Sequence, residues 1–185
     1  MYEVILYYYF NTIEHPEQFA KQHKQYCKDL GIKGRIYISS EGINGTAAGT
    51  PEQMAQYKAD LRAIPGFENT EFKTDESDYI PFSKLICKVR EEIVSLHVDG
   101  VDPKDGGNHL SPAEWRRVME EQDDYVMIDV RNNYESKIGH FKGALKPDVE
   151  NFFDFPQWLE EAEIPKDKKV LMYCTGGIRC EKFSV

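Results

Sequence analysis

A short apolar strand that runs into a glycine-containing loop constrains the fold of this 185-residue chain more than any other segment. Lys169–Tyr173 is apolar and β-branched, with the length of a buried parallel strand. Cys174 follows directly, so we expect it at the carboxyl end of the strand, where open α/β sheets hold their reactive groups. The segment predicts a parallel α/β domain with a cysteine at its functional edge.

The loop after Cys174 has the composition of an anion-binding turn. Its residues are Thr175, Gly176, Gly177 and Ile178. Glycines let successive backbone N–H groups converge on one anion, and Arg179 adds a fixed positive charge. We therefore expect the pKa of the Cys174 thiol to lie below its ordinary value of about 8.5. A buried structural cysteine before an ordinary strand-to-helix turn is the alternative for this loop alone.

A second group of motifs follows an earlier apolar strand. It comprises Asp129, Arg131, Glu135, Gly139-His140 and Gly143-Ala144. With the cysteine loop after the next strand, this order of motifs resembles the rhodanese (sulfurtransferase) domain. The resemblance implies that Cys174 carries sulfur as a persulfide.

Two segments in the first half narrow the resemblance. Tyr37–Thr46 contains Ser-Ser-Glu-Gly-Ile-Asn-Gly, and Ile80–Leu85 contains Pro-Phe-Ser-Lys. With the rhodanese motifs they resemble the bacterial rhodanese-like tRNA uridine hydroxylases, over nearly the whole chain. The resemblance implies an acylphosphatase-like N-terminal domain and a rhodanese domain. It also implies oxidation of the wobble uridine of certain tRNAs to 5-hydroxyuridine by molecular oxygen.

The pattern of the first half predicts a ferredoxin-like α+β domain with the order βαββαβ. Gly42–Gly45 is the expected turn between the second strand and a third over Thr46–Gly49, because Asn-Gly is the strongest tight-hairpin signal. Leu85–Arg90 and Glu92–Leu96 are expected to extend the same sheet.

A polar, glycine-rich stretch marks the predicted domain boundary. Residues 1–98 form the ferredoxin-like domain, residues 99–109 the linker and residues 110–185 the rhodanese-like α/β domain. In rhodanese-like domains the active loop leads into a helix and a further parallel strand, and little sequence remains here for them. We therefore expect an incomplete second domain, from a fragment or a truncated product, and weak catalysis by the chain in isolation.

The charge balance restricts how the chain binds nucleic acid. A net charge of −9 and an isoelectric point near 5.1 argue against RNA binding through overall positive charge. Weak tRNA binding then needs a local basic face, and the expected cations precede the Glu41–Gly45 loop. They are Lys21, Lys24, Lys28, Lys33 and Arg35. A solvated helix face is the alternative interpretation.

Nothing in the sequence suggests a membrane or an oxidising compartment. No apolar run approaches the ~20 residues of a membrane span, and the start Met1–Phe10 does not resemble a secretory signal. The cysteines Cys27, Cys87, Cys174 and Cys180 lack zinc-type pairing. We expect a cytoplasmic protein with no metal and, since no dinucleotide or flavin fingerprint is present, no organic cofactor.

Arg131 and Asp129 are expected to line the same rim as Cys174, because they sit at or just past a strand end. With Cys174 and Arg179 they form the predicted catalytic set. A structural ion pair between Asp129 and Arg131 is the alternative.

Three further residues have supporting roles in this prediction. Glu135 is expected to brace the loop through Arg179. Cys180 either resolves an oxidised Cys174 as a disulfide or is held away from it. His140 is expected to be a hydrogen-bonded structural residue rather than an acid or base.

Three functions remain at this point. Oxygen-dependent hydroxylation of wobble uridine through Cys174 is the leading hypothesis. A plain sulfurtransferase, which moves sulfane sulfur through a cysteine persulfide, uses the same loop. A non-catalytic module that binds RNA or protein is the third, and it predicts an unreactive Cys174.

Overall fold

The first unit is a five-stranded sheet with two helices on one face. The computed structural model describes residues 1–121 and 124–185, and backbone contacts divide the chain into Met1–Ile93 and Val94–Val185. The elements of the first unit are β1 (Tyr2–Phe10), α1 (Pro16–Asp29), β2 (Lys33–Ser39), β3 (Gly42–Gly49), α2 (Pro51–Arg62), β4 (Phe72–Ser77) and β5 (Leu85–Val89). The strand order is β4-β1-β3-β2-β5, in which β5 alone pairs in parallel. The predicted βαββαβ arrangement is confirmed, with β5 added at one edge. The predicted limits at 98 and 99–109 stay predictions.

Alternation along the strands directs one set of side chains toward the helices. Ile5, Tyr7, Ile36, Ile38 and Ile43 are buried in one core with Cys27 of α1 and Met54, Tyr57 and Leu61 of α2. The residues between them point to the opposite, helix-free side. Gly45 lies under Tyr7, and a Cβ there would stand 2.6 Å from the Tyr7 hydroxyl.

The β2–β3 hairpin turns at a different place from the predicted one. Ser39 pairs with Gly42, so Ser40 and Glu41 form the loop. Gly42 begins β3 and Asn44 lies inside it, which makes the predicted Gly42–Gly45 turn wrong. The core decides this register, because it places Ile38 opposite Ile43 with both side chains buried.

The predicted strand over Glu92–Leu96 is also wrong, because side chains satisfy the backbone there in place of a sheet partner. The Ile93 N–H donates to Glu41 Oε1 at 2.7 Å, and Asn44 Nδ2 donates to the Ile93 carbonyl at 2.8 Å. Glu41 in the hairpin loop and Asn44 in β3 thereby hold Ile93, the last residue of the first unit, by two hydrogen bonds.

The second unit contains a parallel strand pair. Its elements are α3 (Pro112–Glu121), β6 (Tyr125–Asp129), α4 (Asn133–Ser136), α5 (Phe155–Glu161), β7 (Lys169–Tyr173) and α6 (Ile178–Phe183). Asp129 pairs with Tyr173, so β6 and β7 end at the same edge. The short strand predicted near Ala144 and Leu145 is a single bridge between Leu145 and Ile128. Within residues 1–121 and 124–185, every helix is too short or too polar to cross a membrane.

Candidate active site

Cys174 lies directly after β7, in the loop before α6. Gly177 closes that loop with a φ of 103°, a left-handed conformation that glycine adopts without strain. The turn directs the Gly177 N–H at Cys174 Sγ, with 3.0 Å between nitrogen and sulfur. Cys174 is half-buried, and its sulfur lies in this polar turn.

The largest influence on the Cys174 sulfur comes from Cys180. The Cys180 thiol donates a hydrogen bond to the sulfur, and the Cys180 N–H, the Arg179 charge and the Gly177 N–H add to it. These groups outweigh burial, which opposes ionisation, and lower the pKa of the Cys174 thiol to about 5. At neutral pH Cys174 is a thiolate.

Cys180 has the opposite character. Its hydrogen bond to Cys174, its burial and the negative charge of Cys174 raise the pKa of Cys180 well above its ordinary value. Cys180 thus stays protonated and remains a donor. The sequence motifs predict Cys180 only as a resolving thiol or as a residue held away from Cys174, and they do not predict this role. The available signal was its spacing, which places Cys180 in the first turn of α6, three residues after Gly177.

Glu135 fixes Arg179 through a bidentate ion pair. Nη1 of Arg179 donates to one carboxylate oxygen at 2.6 Å and Nη2 to the other at 2.9 Å, while the Thr175 hydroxyl donates to Glu135 at 2.5 Å. Burial opposes ionisation of Glu135, but these donors prevail and lower its pKa to about 2. The Arg179 charge is therefore held in place beside the thiolate.

Asp129 and Arg131 form a second network at this edge. Nε and Nη2 of Arg131 donate to the two oxygens of the buried Asp129 carboxylate, each at 2.8 Å. The Tyr173 hydroxyl donates to Asp129 at 2.8 Å. This geometry is that of the ion-pair alternative, and it anchors Tyr173, the neighbour of Cys174. A direct role of either residue at the sulfur stays a prediction.

Comparison with known proteins assigns a domain family to each half of the chain. The UPF0176 acylphosphatase like domain matches residues 2–93, and the rhodanese-like domain matches residues 111–184. The chain belongs to the rhodanese-like family that carries a UPF0176 acylphosphatase-like domain. The resemblance and fold class predicted from the sequence motifs are thereby confirmed.

Curated relatives named tRNA uridine(34) hydroxylase align with 99% of this rhodanese-like chain. One from Staphylococcus aureus strain JH9 is 50% identical, and one from Bacillus mycoides strain KBAB4 is 49% identical. The chain spans 58% of the length of these relatives. A solved structure, Klebsiella pneumoniae BlrP1 with FMN and cyclic diGMP, matches 49% of this chain and 26% of its own at 16% identity, with a TM-score of 0.42, too weak a likeness to assign a fold.

The loop residues of the rhodanese-like unit divide between two tasks. The Gly177 N–H is directed at the sulfur, and the Cys180 N–H, which donates to the Gly177 carbonyl at 2.9 Å, also stabilises the thiolate, whereas the Thr175 side chain turns to Glu135. Gly176 is half-buried between them and Ile178 begins α6. The backbone groups that stabilise the sulfur therefore come from Gly177 at the end of the loop and Cys180 in the first turn of α6.

His140 is held by two neighbours in the same unit. Its Nδ1 lies 2.9 Å from the Ser136 carbonyl and its Nε2 lies 3.2 Å from Lys146 Nζ. These contacts suit the structural role expected for it. Across the described part of the chain, no group of three or more His, Cys, Asp or Glu side chains is placed to hold a metal ion.

The predicted basic face of the UPF0176-type unit is two separate surfaces. Lys21, Lys24 and Lys28 lie on α1. Lys33 and Arg35 lie on β2, where Ile36 and Ile38 point into the core beneath the helices. Alternation therefore directs Arg35 to the helix-free side. The grouping is corrected, because nearness in sequence did not distinguish the two sides of the sheet.

Proposed function

We propose that this protein hydroxylates the wobble uridine of tRNA with molecular oxygen in the cytoplasm, through Cys174. The observation that carries the proposal is the alignment of 99% of the chain, at 50% identity, with relatives named tRNA uridine(34) hydroxylase. The reactive thiolate supports it, because a nucleophile that is ionised at neutral pH is what an attack on a pyrimidine ring needs.

The reaction needs an electron source. Converting C5–H of uridine to C5–OH with O2 places one oxygen atom in the product and reduces the other to water, which consumes two electrons and two protons. Cys174 and Cys180 supply the electrons by forming a disulfide. The Cys180 thiol gives one proton and solvent gives the other, because Cys174 is already ionised. A cellular thiol reductant then restores the pair.

The other site residues position this pair. Arg179 supports the thiolate and is itself fixed by Glu135. The Asp129–Arg131 pair secures Tyr173 and hence the start of the loop. In this proposal Cys174 reacts, Cys180 donates and is oxidised, and Arg179 stabilises charge.

Expression in a bacterial strain whose tRNA lacks 5-hydroxyuridine tests the proposal. Mass spectrometry of tRNA nucleosides after growth under ¹⁸O2 should show labelled 5-hydroxyuridine with the unaltered gene and none with Cys174→Ser. Product that is unlabelled, or equal in the two strains, overturns the proposal.

A sulfurtransferase is the second candidate, because the donors that stabilise the thiolate also suit a persulfide anion. Thiosulfate:cyanide activity lost in Cys174→Ser, with no tRNA product in the expression test, would favour it.

A further inference from the structure

The helix-free side of the first unit's sheet combines aromatic and cationic side chains. The strand residues directed there by alternation include Tyr8 of β1, Asn44 and Thr46 of β3, Arg35 and Tyr37 of β2, Lys73 of β4, and Ile86 and Lys88 of β5. We call this surface the open face. We propose that the open face binds single-stranded RNA. This inference rests on the proposed function, because it assigns a surface to the RNA substrate, and its test requires no chemistry at Cys174.

The charge of the open face is opposite to that of the chain. Cations stand at Lys33, Arg35, Lys73 and Lys88, and Asp75 is the one acidic side chain among the described strand residues of this face. Arg35, Lys73 and Lys88 are exposed. In a chain of net charge −9, such a cluster offers a polyanion a local site while the remainder repels it.

A row of aromatic and amide groups crosses the same surface. Register places Tyr8 opposite Asn44, Asn44 opposite Tyr37, and Tyr37 opposite Lys88. The Arg90 guanidinium lies 5.1 Å from the centre of the Tyr37 ring. Aromatic rings and guanidinium planes are the groups on which unpaired bases stack, whereas the Asn44 amide is held by the Ile93 carbonyl.

A cavity of about 480 Å³ adjoins this row. Arg35, Thr46 and Ile86 form its floor on the open face, and Phe82, Ser83 and Lys84 form a wall from the segment before β5. Cavities of ~300–1,000 Å³ hold small organic ligands. The lining of this cavity combines the Phe82 ring and the Ile86 side chain with two cations and two hydroxyls. It suits one nucleotide, whose base would lie on the apolar side chains and whose phosphate would lie at the cations.

The combination favours single strands over other polyanions. A duplex conceals the faces of its bases, so it uses the cations and not the aromatic row. An acidic peptide would likewise use the charge and leave the rings without stacking partners. Single-stranded RNA uses both, and tRNA presents unpaired bases in its loops.

Fluorescence anisotropy with a labelled ten-nucleotide oligouridine tests the inference on the whole 185-residue chain. Arg35→Gln with Lys88→Gln should weaken binding about tenfold at 50 mM salt and flatten its salt dependence, because two phosphate contacts are lost. Tyr37→Leu should weaken it about fivefold or more, whereas Tyr37→Phe, which keeps the ring, should bind within about twofold of the unaltered chain.

Lys21→Gln with Lys28→Gln is the matched control on α1, with equal loss of charge. It should bind as the unaltered chain does, and circular dichroism of every variant checks that it is folded. No oligouridine binding, equal loss in both charge pairs, or tighter binding of an acidic peptide or duplex overturns the inference. Cys174→Ser should bind normally, so failure of the hydroxylation proposal and failure of this one give different results.

Discussion

The thiol of Cys180 donates a hydrogen bond to the sulfur of Cys174, and this contact lowers the pKa of Cys174 more than any other. One cysteine is thereby kept ionised and its partner protonated. The pair thus holds a nucleophile beside a second thiol, which is the combination that the proposed hydroxylation uses.

Removing the Cys180 donor should raise the pKa of Cys174. In Cys180→Ala the pKa should move toward the ordinary thiol value, while in Cys180→Ser, whose hydroxyl can still donate, it should stay close to that of the unaltered chain. Alkylation rates of Cys174 as a function of pH measure both. Equal pKa values in the alanine and serine variants would show that the donor is not the side chain.

The Cys180 variants also separate the hydrogen bond that Cys180 donates from the electrons that it is proposed to supply. Without added reductant, the unaltered protein should form about one 5-hydroxyuridine per chain and accumulate a Cys174–Cys180 disulfide. Cys180→Ser should keep a reactive thiolate and yet form no such disulfide. Product and disulfide are counted by mass spectrometry of nucleosides and of peptides. Continued turnover without a reductant would show that the electrons come from elsewhere.

Arg179 and Glu135 should depend on each other for stability. Arg179→Met leaves the mostly buried Glu135 carboxylate without its bidentate partner, at a cost of about 2–3 kcal/mol in the free energy of unfolding. Adding Glu135→Leu should restore most of that loss and leave the pKa of Cys174 raised, because the Arg179 charge is still missing. Urea unfolding of the single and double variants measures the coupling, and additive losses would contradict it.

His23 should make stability depend on pH. Its Nε2 lies 2.8 Å from the Tyr57 hydroxyl, and burial lowers its pKa to about 4. Between pH 6.5 and 4 the unfolded chain binds a proton that the folded chain rejects, so stability falls as pH falls through this window. From pH 7 to 5 the unaltered chain should lose about 2 kcal/mol more than His23→Phe. Urea unfolding at the two pH values measures this, and equal losses would place His23 in a solvated site.

Local pattern was enough to predict the elements that depend on nearby residues. Thr50 before Pro51 signals the start of α2, and the run before Cys174 predicts β7. The errors lie where distant groups decide. Glu41 and Asn44 satisfy the backbone of Ile93, about fifty residues away, so Glu92–Leu96 needs no strand partner.

The candidate site likewise has features that local sequence predicts and features that depend on the folded structure. Motif spacing predicted that Cys174, Arg179 and Glu135 belong to one site, and the structure brings them together. The donor role of Cys180 depends on how the loop turns at Gly177 into α6, which residue types alone do not show. The basic residues were grouped by sequence position, although one strand alternates between two sides of a sheet.

The pH dependence of iodoacetamide alkylation at Cys174 tests the central claim most directly. A group whose pKa is lowered to about 5 stays ionised until the pH falls through that value. The rate should therefore be level from pH 8 to 6 and reach half its maximum near pH 5. A rate that rises steeply between pH 7 and 9, with a midpoint near the ordinary thiol value of about 8.5, would contradict the account.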